Sequence, residues 1–132
     1  MKHEAALPSR ATAGAVGYDI ASCERIVVEP RGQKLIHTAL MVMPPTGHYL
    51  RLATRSSMAL RGLSIRGGVI DPDYRGELKV ILYNSSREPY RVEVGQRVAQ
   101  MICERYTLPA VLEVNELPPT GRGSGGFGST GS

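Results

Sequence analysis

The sequence contains few of the residues on which cross-links and metal sites depend. Cys23 and Cys103 are the only cysteines among 132 residues, so there is no disulfide framework and no zinc-binding spacing. The three histidines, His3, His37 and His48, lie far apart without an H-x-x-x-H or H-x-E spacing, which argues against a zinc site. So little cysteine fits a reducing compartment inside the cell.

Long apolar runs and long charge runs are also missing. No run approaches the roughly 18 apolar residues that a membrane span requires, and the first ten residues, MKHEAALPSR, contain no apolar signal core. We therefore expect an intracellular protein, cytoplasmic or nuclear, with no secretion signal and no membrane partner. The formal net charge is +4, but no tract of five like charges occurs, so we expect no nucleic-acid partner.

The signatures of two enzyme classes and almost all helical periodicity are absent as well. There is no G-x-S-x-G elbow of a serine hydrolase and no G-x-G-x-x-G motif of a dinucleotide-binding unit. One short stretch, SSMALR at 56–61, predicts a turn of helix with Ser56 or Ser57 as its N-cap. Short apolar stretches between Pro, Gly, Asn and Ser residues predict strands at 26–28, 35–42, 48–52, 78–83, 90–94, 98–103 and 111–114.

These strands predict an all-β barrel or sandwich in a single domain. Pro118 and Pro119 mark its end, so residues 1–117 are expected to form the β-barrel and 118–132 a mobile C-terminal arm. The last twelve residues, GRGSGGFGSTGS, include six glycines, and Arg122 and Phe127 are their only large side chains. This composition is typical of a disordered Gly/Ser end. It also suits an arm that closes over a ligand with phosphates and a flat base.

Two internal segments could carry chemistry. In GGVIDPDYRGELKVILYN (67–84), Pro and Gly predict a hairpin turn that places Asp71, Asp73 and Tyr74 at its tip. A carboxylate there could take a proton from water, although on composition alone it is an ordinary solvated turn residue. The sequence Arg55-Ser56-Ser57 at the start of the short helix is equally compatible with an anion site and with a plain N-cap.

The order of five segments is more specific than any one of them. AVGYDIAS (15–22), RSSMALRG (55–62), GGVIDPDYRG (67–76), GQRVAQMICER (95–105) and RGSGGFGSTG (122–131) resemble the five ordered motifs of the dUTPase family. That family hydrolyses dUTP to dUMP and pyrophosphate, which keeps uracil out of DNA and supplies dUMP for thymidylate synthesis. The resemblance implies a jelly-roll-like β-barrel of the β-clip type. It also implies Mg²⁺ as cofactor and a homotrimer whose three active sites are each built from all three chains.

The resemblance also implies roles for individual residues. Asp71 would be the general base that activates water for attack at the α-phosphorus, and Tyr74 would lie under the deoxyribose and exclude a 2′-hydroxyl. Asp19 would orient a water on the Mg²⁺ ion, and Gln100 would help to hold the phosphate and metal-water network. Backbone groups of the hairpin from Gly68 to Lys79, including Val69 and Ile70, would pair with uracil.

The phosphates and the arm complete the implied site. Arg55, Ser56 and Ser57 would hold phosphates, and Arg122 would clamp a phosphate while Phe127 stacks on uracil. The terminal phosphate would be surrounded by Gly128, Ser129 and Thr130.

Two other functions fit the sequence less well. A deoxycytidine triphosphate deaminase shares the fold, but deamination needs an added acid/base set beside the base ring, and no such set is found in the sequence. A non-catalytic signalling or protein-binding module would not need Asp71, Tyr74 and the tail. Departures from the family pattern are small: Pro72 and Ser57 stand at tolerant positions, and Lys79 replaces a residue that is often small.

Overall fold

A computed structural model describes residues 5–128 of the chain, and in this range it contains nine strands and one short helix. Every strand pair is antiparallel. The elements are β1 (Tyr18–Ala21), β2 (Ile26–Val28), β3 (Gln33–His37), β4 (His48–Ala53), α1 (Ser56–Ala59), β5 (Leu63–Arg66), β6 (Val69–Ile70), β7 (Lys79–Asn84), β8 (Tyr90–Val92) and β9 (Arg97–Arg105).

The strands form three sheets around one core. The largest sheet has the order β1-β9-β4-β6, a second has the order β3-β7-β5, and β2 pairs with β8. Strand β7 shows how the sequence pattern sets the packing, because Val80 and Leu82 are fully buried while Lys79 is exposed. Burial that alternates from one residue to the next places one face of the strand in the core, as the sequence predicted.

Several sequence predictions were wrong in detail. Strands β1 and β5 were not predicted as strands, and the predicted strand at 35–42 ends at His37. The predicted strand at 111–114 does not form within the chain, and every residue from 107 to 117 is exposed. A run of apolar residues becomes a strand only where another strand can accept its hydrogen bonds. The boundary at 117/118 stays a prediction.

The short helix also differs at its start. Arg55 occupies the N-cap position, with no side-chain capping bond, so neither Ser56 nor Ser57 is the N-cap. Met58 anchors the helix in the core, and Gly62 ends the turn with a φ of 83°. Within the part of the chain that is described, no helix is long and apolar enough to cross a membrane.

Candidate active site

The segment with Asp71 joins two sheets instead of forming a hairpin. β6 pairs with β4, where Val69 lies opposite Arg51, whereas β7 lies between β3 and β5. The expected pairing between the two flanking strands is therefore wrong. Main-chain bonds explain this, because Leu78 donates to the carbonyl of Leu40 at 2.7 Å and so directs β7 toward β3.

The separation of β6 from β7 leaves a cleft of about 200 Å³, which we call the β6–β7 cleft. It brings together five of the residues predicted from sequence: Val69, Ile70, Asp71, Tyr74 and Lys79. The remaining walls are formed by Leu35, Glu77 and Ile81. Asp71 lies at the end of β6 and is exposed to solvent, so a water molecule can reach its carboxylate.

Gly68 allows β6 to approach β4. A Cβ at this position would lie 2.7 Å from the carbonyl oxygen of Leu52, and the φ of 100° is one that L residues rarely adopt. The Gly68 carbonyl accepts a hydrogen bond of 2.8 Å from the Leu52 amide. Glycine at this position therefore fixes the place of β6 and with it one wall of the cleft.

Both strands that border the cleft have backbone edges without a strand partner. β6 is the last strand of its sheet, so in residues 5–128 only β4 pairs with it. On β7, the register with β5 covers residues 81–84, so Lys79 has a strand partner only on the side of β3. Free N–H and C=O groups are thus available at the edge of a planar ligand.

Tyr74 is held by its own turn. Its amide donates to the Asp71 carbonyl at 3.1 Å, and its hydroxyl donates to the Glu77 carbonyl at 2.7 Å. The ring packs on Gly76, where a Cβ would lie 2.7 Å from Cζ of the ring. The residue is 40% exposed, so a ligand can reach it.

A second cluster lies at the other end of the large sheet. Asp19 on β1 lies directly opposite Gln100 on the neighbouring strand β9. The Arg55 Nε donates to Asp19 Oδ1 at 3.2 Å, and the Arg97 Nε lies 3.8 Å from Oδ2. Gln100 Nε2 donates to the Thr54 carbonyl at 3.1 Å. The strand pairing thus unites residues that are up to 81 positions apart in the chain (100 − 19).

Gly17 makes room for the Gln100 side chain, since a Cβ on Gly17 would overlap its Oε1. Beside this cluster lies a cleft of about 460 Å³, which we call the arginine cleft. Three of its residues are arginines, Arg55, Arg61 and Arg97, and Ser57 lies among them. The cleft can bind an anion by charge and hydroxyl hydrogen bonds. Ser56 is exposed at the first position of α1.

The two clefts share no lining residue, and neither includes a residue from the described part of the arm, 118–128. Arg122 donates from Nε to the Gly125 carbonyl, and Phe127 is fully exposed with a φ of 50°. Gly128 is also exposed. A single chain therefore does not assemble all the predicted residues, and Ser129 and Thr130 lie outside the described residues.

The described residues do not form a complete metal site by themselves. In residues 5–128 no group of three or more His, Cys, Asp or Glu side chains could hold a metal ion. Asp19 is instead a single carboxylate, 13% exposed, with arginines on both oxygens. Such a carboxylate can still accept a hydrogen bond from a water on Mg²⁺, which keeps several waters and commonly binds together with substrate phosphates.

Sequence reasoning missed two residues of these clusters. Arg97 faces Asp19, and Glu77 lines the β6–β7 cleft. Arg97 lies inside a motif segment, but only the β1–β9 pairing shows that its side chain faces the Asp19 carboxylate. No sequence pattern indicated Glu77.

Comparison with known proteins identifies the family. The sequence model of the dUTPase family matches residues 3–131. The chain belongs to the dUTPase family. One dUTPase relative is the deoxyuridine 5'-triphosphate nucleotidohydrolase of Paramecium bursaria Chlorella virus 1. It is 48% identical over 128 residues, which cover 96% of this chain and 91% of the relative.

Solved dUTPases share the fold. A mutant dUTPase of Staphylococcus bacteriophage 80alpha, solved with dUpNHpp, matches with a TM-score of 0.89 and 29% identity, over 97% of this chain and 93% of that one. A mutant dUTPase from phage phi11 of S. aureus, described with a structural Mg(II) ion, matches with a TM-score of 0.80 and 25% identity, over 87% and 93%. The jelly-roll-like β fold expected from the sequence is confirmed.

Proposed function

We propose that this chain hydrolyses dUTP to dUMP and pyrophosphate, with Asp71 as general base. The observation that carries the proposal is the β6–β7 cleft, which gathers Asp71, Tyr74 and unpaired backbone edges in a member of the dUTPase family. A related dUTPase has been solved with dUpNHpp, which supports a deoxyuridine nucleotide as ligand.

The base would be read by the backbone. Free N–H and C=O groups on β6 and at Lys79 can pair with the donor and acceptor edge of uracil. Cytosine presents the reversed pattern and would leave backbone groups unpaired, which costs more than a lost contact. The close approach of Gly68 to Leu52 keeps the wall fixed, so the methyl group of thymine would find no space.

The sugar would be read by Tyr74. The hydroxyl end of its ring is held by the bond to the Glu77 carbonyl and by packing on Gly76. A ring that cannot move aside would exclude a 2′-hydroxyl by steric contact. Asp71 lies in the same cleft and would take a proton from the water that attacks the α-phosphorus, so that pyrophosphate leaves.

The phosphates would bind at the arginine cleft. Arg55, Ser56 and Ser57 would contact phosphate oxygens, and Gln100 would hold the surrounding waters. Asp19 would orient a water bound to Mg²⁺, and the ion would neutralise phosphate charge when it is bound with the nucleotide.

A homotrimer would bring the separated parts together. Within one chain the two clefts share no residue, and neither is lined by arm residues 118–128, which supports sites built from neighbouring chains. The exposed apolar side chains Leu108, Val111 and Leu112 precede the arm and favour packing on another copy. Residues Arg122, Phe127, Gly128, Ser129 and Thr130 would then close over a neighbour's site.

Release of pyrophosphate from a panel of nucleoside triphosphates with Mg²⁺ tests the activity. We expect rapid hydrolysis of dUTP and slow hydrolysis of dCTP, dTTP and UTP. Hydrolysis of several of these at similar rates, or deamination of dCTP, would contradict the proposal.

Mixed chains test the shared site. Chains that lack residues 121–132 and chains with Asp71→Asn are each expected to be nearly inactive. Unfolded together and refolded, they should regain part of the activity, because a mixed trimer pairs an intact Asp71 with an intact arm from another chain. Mixed trimers confirmed by mass spectrometry but without activity would exclude an arm that crosses to a neighbour.

A further inference from the structure

Glu77 lines the β6–β7 cleft beside Tyr74 but lies outside the five motif segments. Its carboxylate contacts two groups, one on His37, the last residue of β3, and one on Ala39, which follows this strand. Oε1 lies 2.8 Å from Nδ1 of His37, and Oε2 accepts a hydrogen bond of 2.9 Å from the Ala39 amide. The side chain thus ties the segment before β7 to the segment after β3.

The segment that Glu77 holds is conformationally strained. Ala39 has a φ of 58°, in the left-handed region that L residues rarely adopt. Such a conformation persists only where surrounding contacts fix it. Glu77 provides one of these contacts, and Thr38 provides another through its hydroxyl, which donates to the Leu78 carbonyl at 2.5 Å.

The position of residue 77 in turn sets the position of the Tyr74 ring. The acceptor of the Tyr74 hydroxyl is the main-chain oxygen of Glu77, at 2.7 Å. If residue 77 moves, this acceptor moves with it. The connection therefore runs from His37 and Ala39, through the Glu77 side chain and carbonyl, to the Tyr74 ring.

The charge of Glu77 supports the same arrangement. The hydrogen bond with His37 and the one from the Ala39 amide hold the pKa of Glu77 below its usual range, against the opposing effect of burial. The carboxylate is therefore an ionised acceptor at neutral pH, and charge-assisted hydrogen bonds of this kind are stronger than neutral ones.

We propose that Glu77 is a positioning residue that fixes the Tyr74 ring and thereby sets discrimination between deoxyribose and ribose. The proposal rests on the proposed function. Glu77 would act through Tyr74, without contacting the nucleotide itself. Its removal should relax sugar selection more than it slows hydrolysis of dUTP.

The test compares Glu77→Ala with Glu77→Gln. Alanine removes both side-chain contacts. Glutamine retains them, because its carbonyl can accept from Ala39 and its amide can donate to a neutral His37. We expect Glu77→Ala to lower the ratio of kcat/KM for dUTP over UTP by about tenfold, since small misplacements of positioning groups have large effects. Glu77→Gln should keep the ratio within about twofold of the parent chain.

Glu93→Ala is the matched control. Glu93, like Glu77, is a glutamate whose carboxylate has a side-chain hydrogen-bond partner, in this case Arg25 at 2.8 Å, but it does not line the β6–β7 cleft. It should leave the ratio unchanged. A ratio for Glu77→Ala within twofold of the parent chain, in a protein folded by circular dichroism, would overturn the proposal. An equal loss in Glu77→Gln would overturn the role of the two contacts.

Hydrogen exchange of the peptide 71–79 separates this inference from the proposed function. In the nucleotide-free protein we expect faster exchange in Glu77→Ala than in the parent chain or Glu77→Gln, because the turn loses its anchor. Unchanged exchange would overturn the inference. A parent chain that releases no pyrophosphate from dUTP would instead overturn the proposed function, whatever the exchange result.

Discussion

The Arg55 Nε donates a hydrogen bond of 3.2 Å to Oδ1 of Asp19, which joins the start of α1 to β1 across the edge of the large sheet. The other Asp19 oxygen faces Arg97 at 3.8 Å. One carboxylate therefore orders two arginines of the arginine cleft before any anion binds.

Asp19→Asn should weaken the response to Mg²⁺. The neutral amide loses both ion pairs and orients a metal-bound water less well, and loss of such an outer-shell partner typically costs 10- to 100-fold in metal affinity. The measurement is the Mg²⁺ concentration that gives half-maximal pyrophosphate release. Glu93→Gln, which removes the charge of an exposed ion pair with Arg25, is the control. An unchanged Mg²⁺ requirement would exclude the role given to Asp19.

Asp71→Asn should lower kcat by roughly 10²- to 10⁴-fold while the chain stays folded, because it removes the carboxylate that we propose as general base. The matched control is Asp73→Asn, which changes a carboxylate two residues away in the same turn. Steady-state kinetics with dUTP and circular dichroism decide the outcome. Wild-type turnover in folded Asp71→Asn would show that another group activates the water.

Tyr74→Ala should increase the use of UTP relative to dUTP. The substitution removes a ring that packs on Gly76, and would so open space where we propose that the 2′ carbon of the sugar lies. The quantity to measure is the ratio of kcat/KM for the two nucleotides. If the ratio does not change, the sugar is read elsewhere.

Gly68→Ala should destabilise the chain by roughly 1–3 kcal/mol, because the new methyl group would press on the Leu52 carbonyl. Gly47→Ala is the control, since Gly47 also has a positive φ, 81°, but a Cβ there would meet nothing within 4 Å. Urea unfolding of both variants separates steric overlap from backbone strain. Equal losses in the two variants would contradict the close approach of β6 to β4.

Glu104 should make stability depend on pH below the neutral range. A hydrogen bond from Arg51, and to a smaller extent one from Tyr49, holds the pKa of Glu104 below its usual range. Its stabilising contribution is therefore complete above the ordinary glutamate pKa of about 4.3 and is lost as the pH falls through the lower folded value. The difference in unfolding free energy between the parent chain and Glu104→Gln should shrink as the pH falls.

Urea unfolding at a series of pH values measures this difference. Glu113→Gln, at an exposed glutamate in the segment 107–117, shows the effect of removing a charge alone. A difference between parent and Glu104→Gln that stays constant through the acid range would contradict the prediction.

Local pattern predicted much of the fold, because alternation of apolar and polar residues is a property of single strands. It gave β2, β4, β7, β8 and β9 close to their observed bounds. It wrongly predicted that β6 pairs with β7, because strands close in sequence often form hairpins. In the structure, hydrogen bonds of Leu78 with Leu40 and Thr38 place the start of β7 beside β3 instead. It also failed at 111–114, where the apolar residues find no partner strand in residues 5–128.

The sequence by itself determined the family, through five motifs whose order does not depend on knowing which residues touch. Only the tertiary structure decided which of those residues meet. Asp19 and Gln100 face each other because β1 pairs with β9, and the Tyr74 hydroxyl bonds to the carbonyl of Glu77, whose side chain contacts His37 and Ala39. Such contacts join distant parts of the chain. Local composition does not predict them, because they arise from sheet pairing and packing.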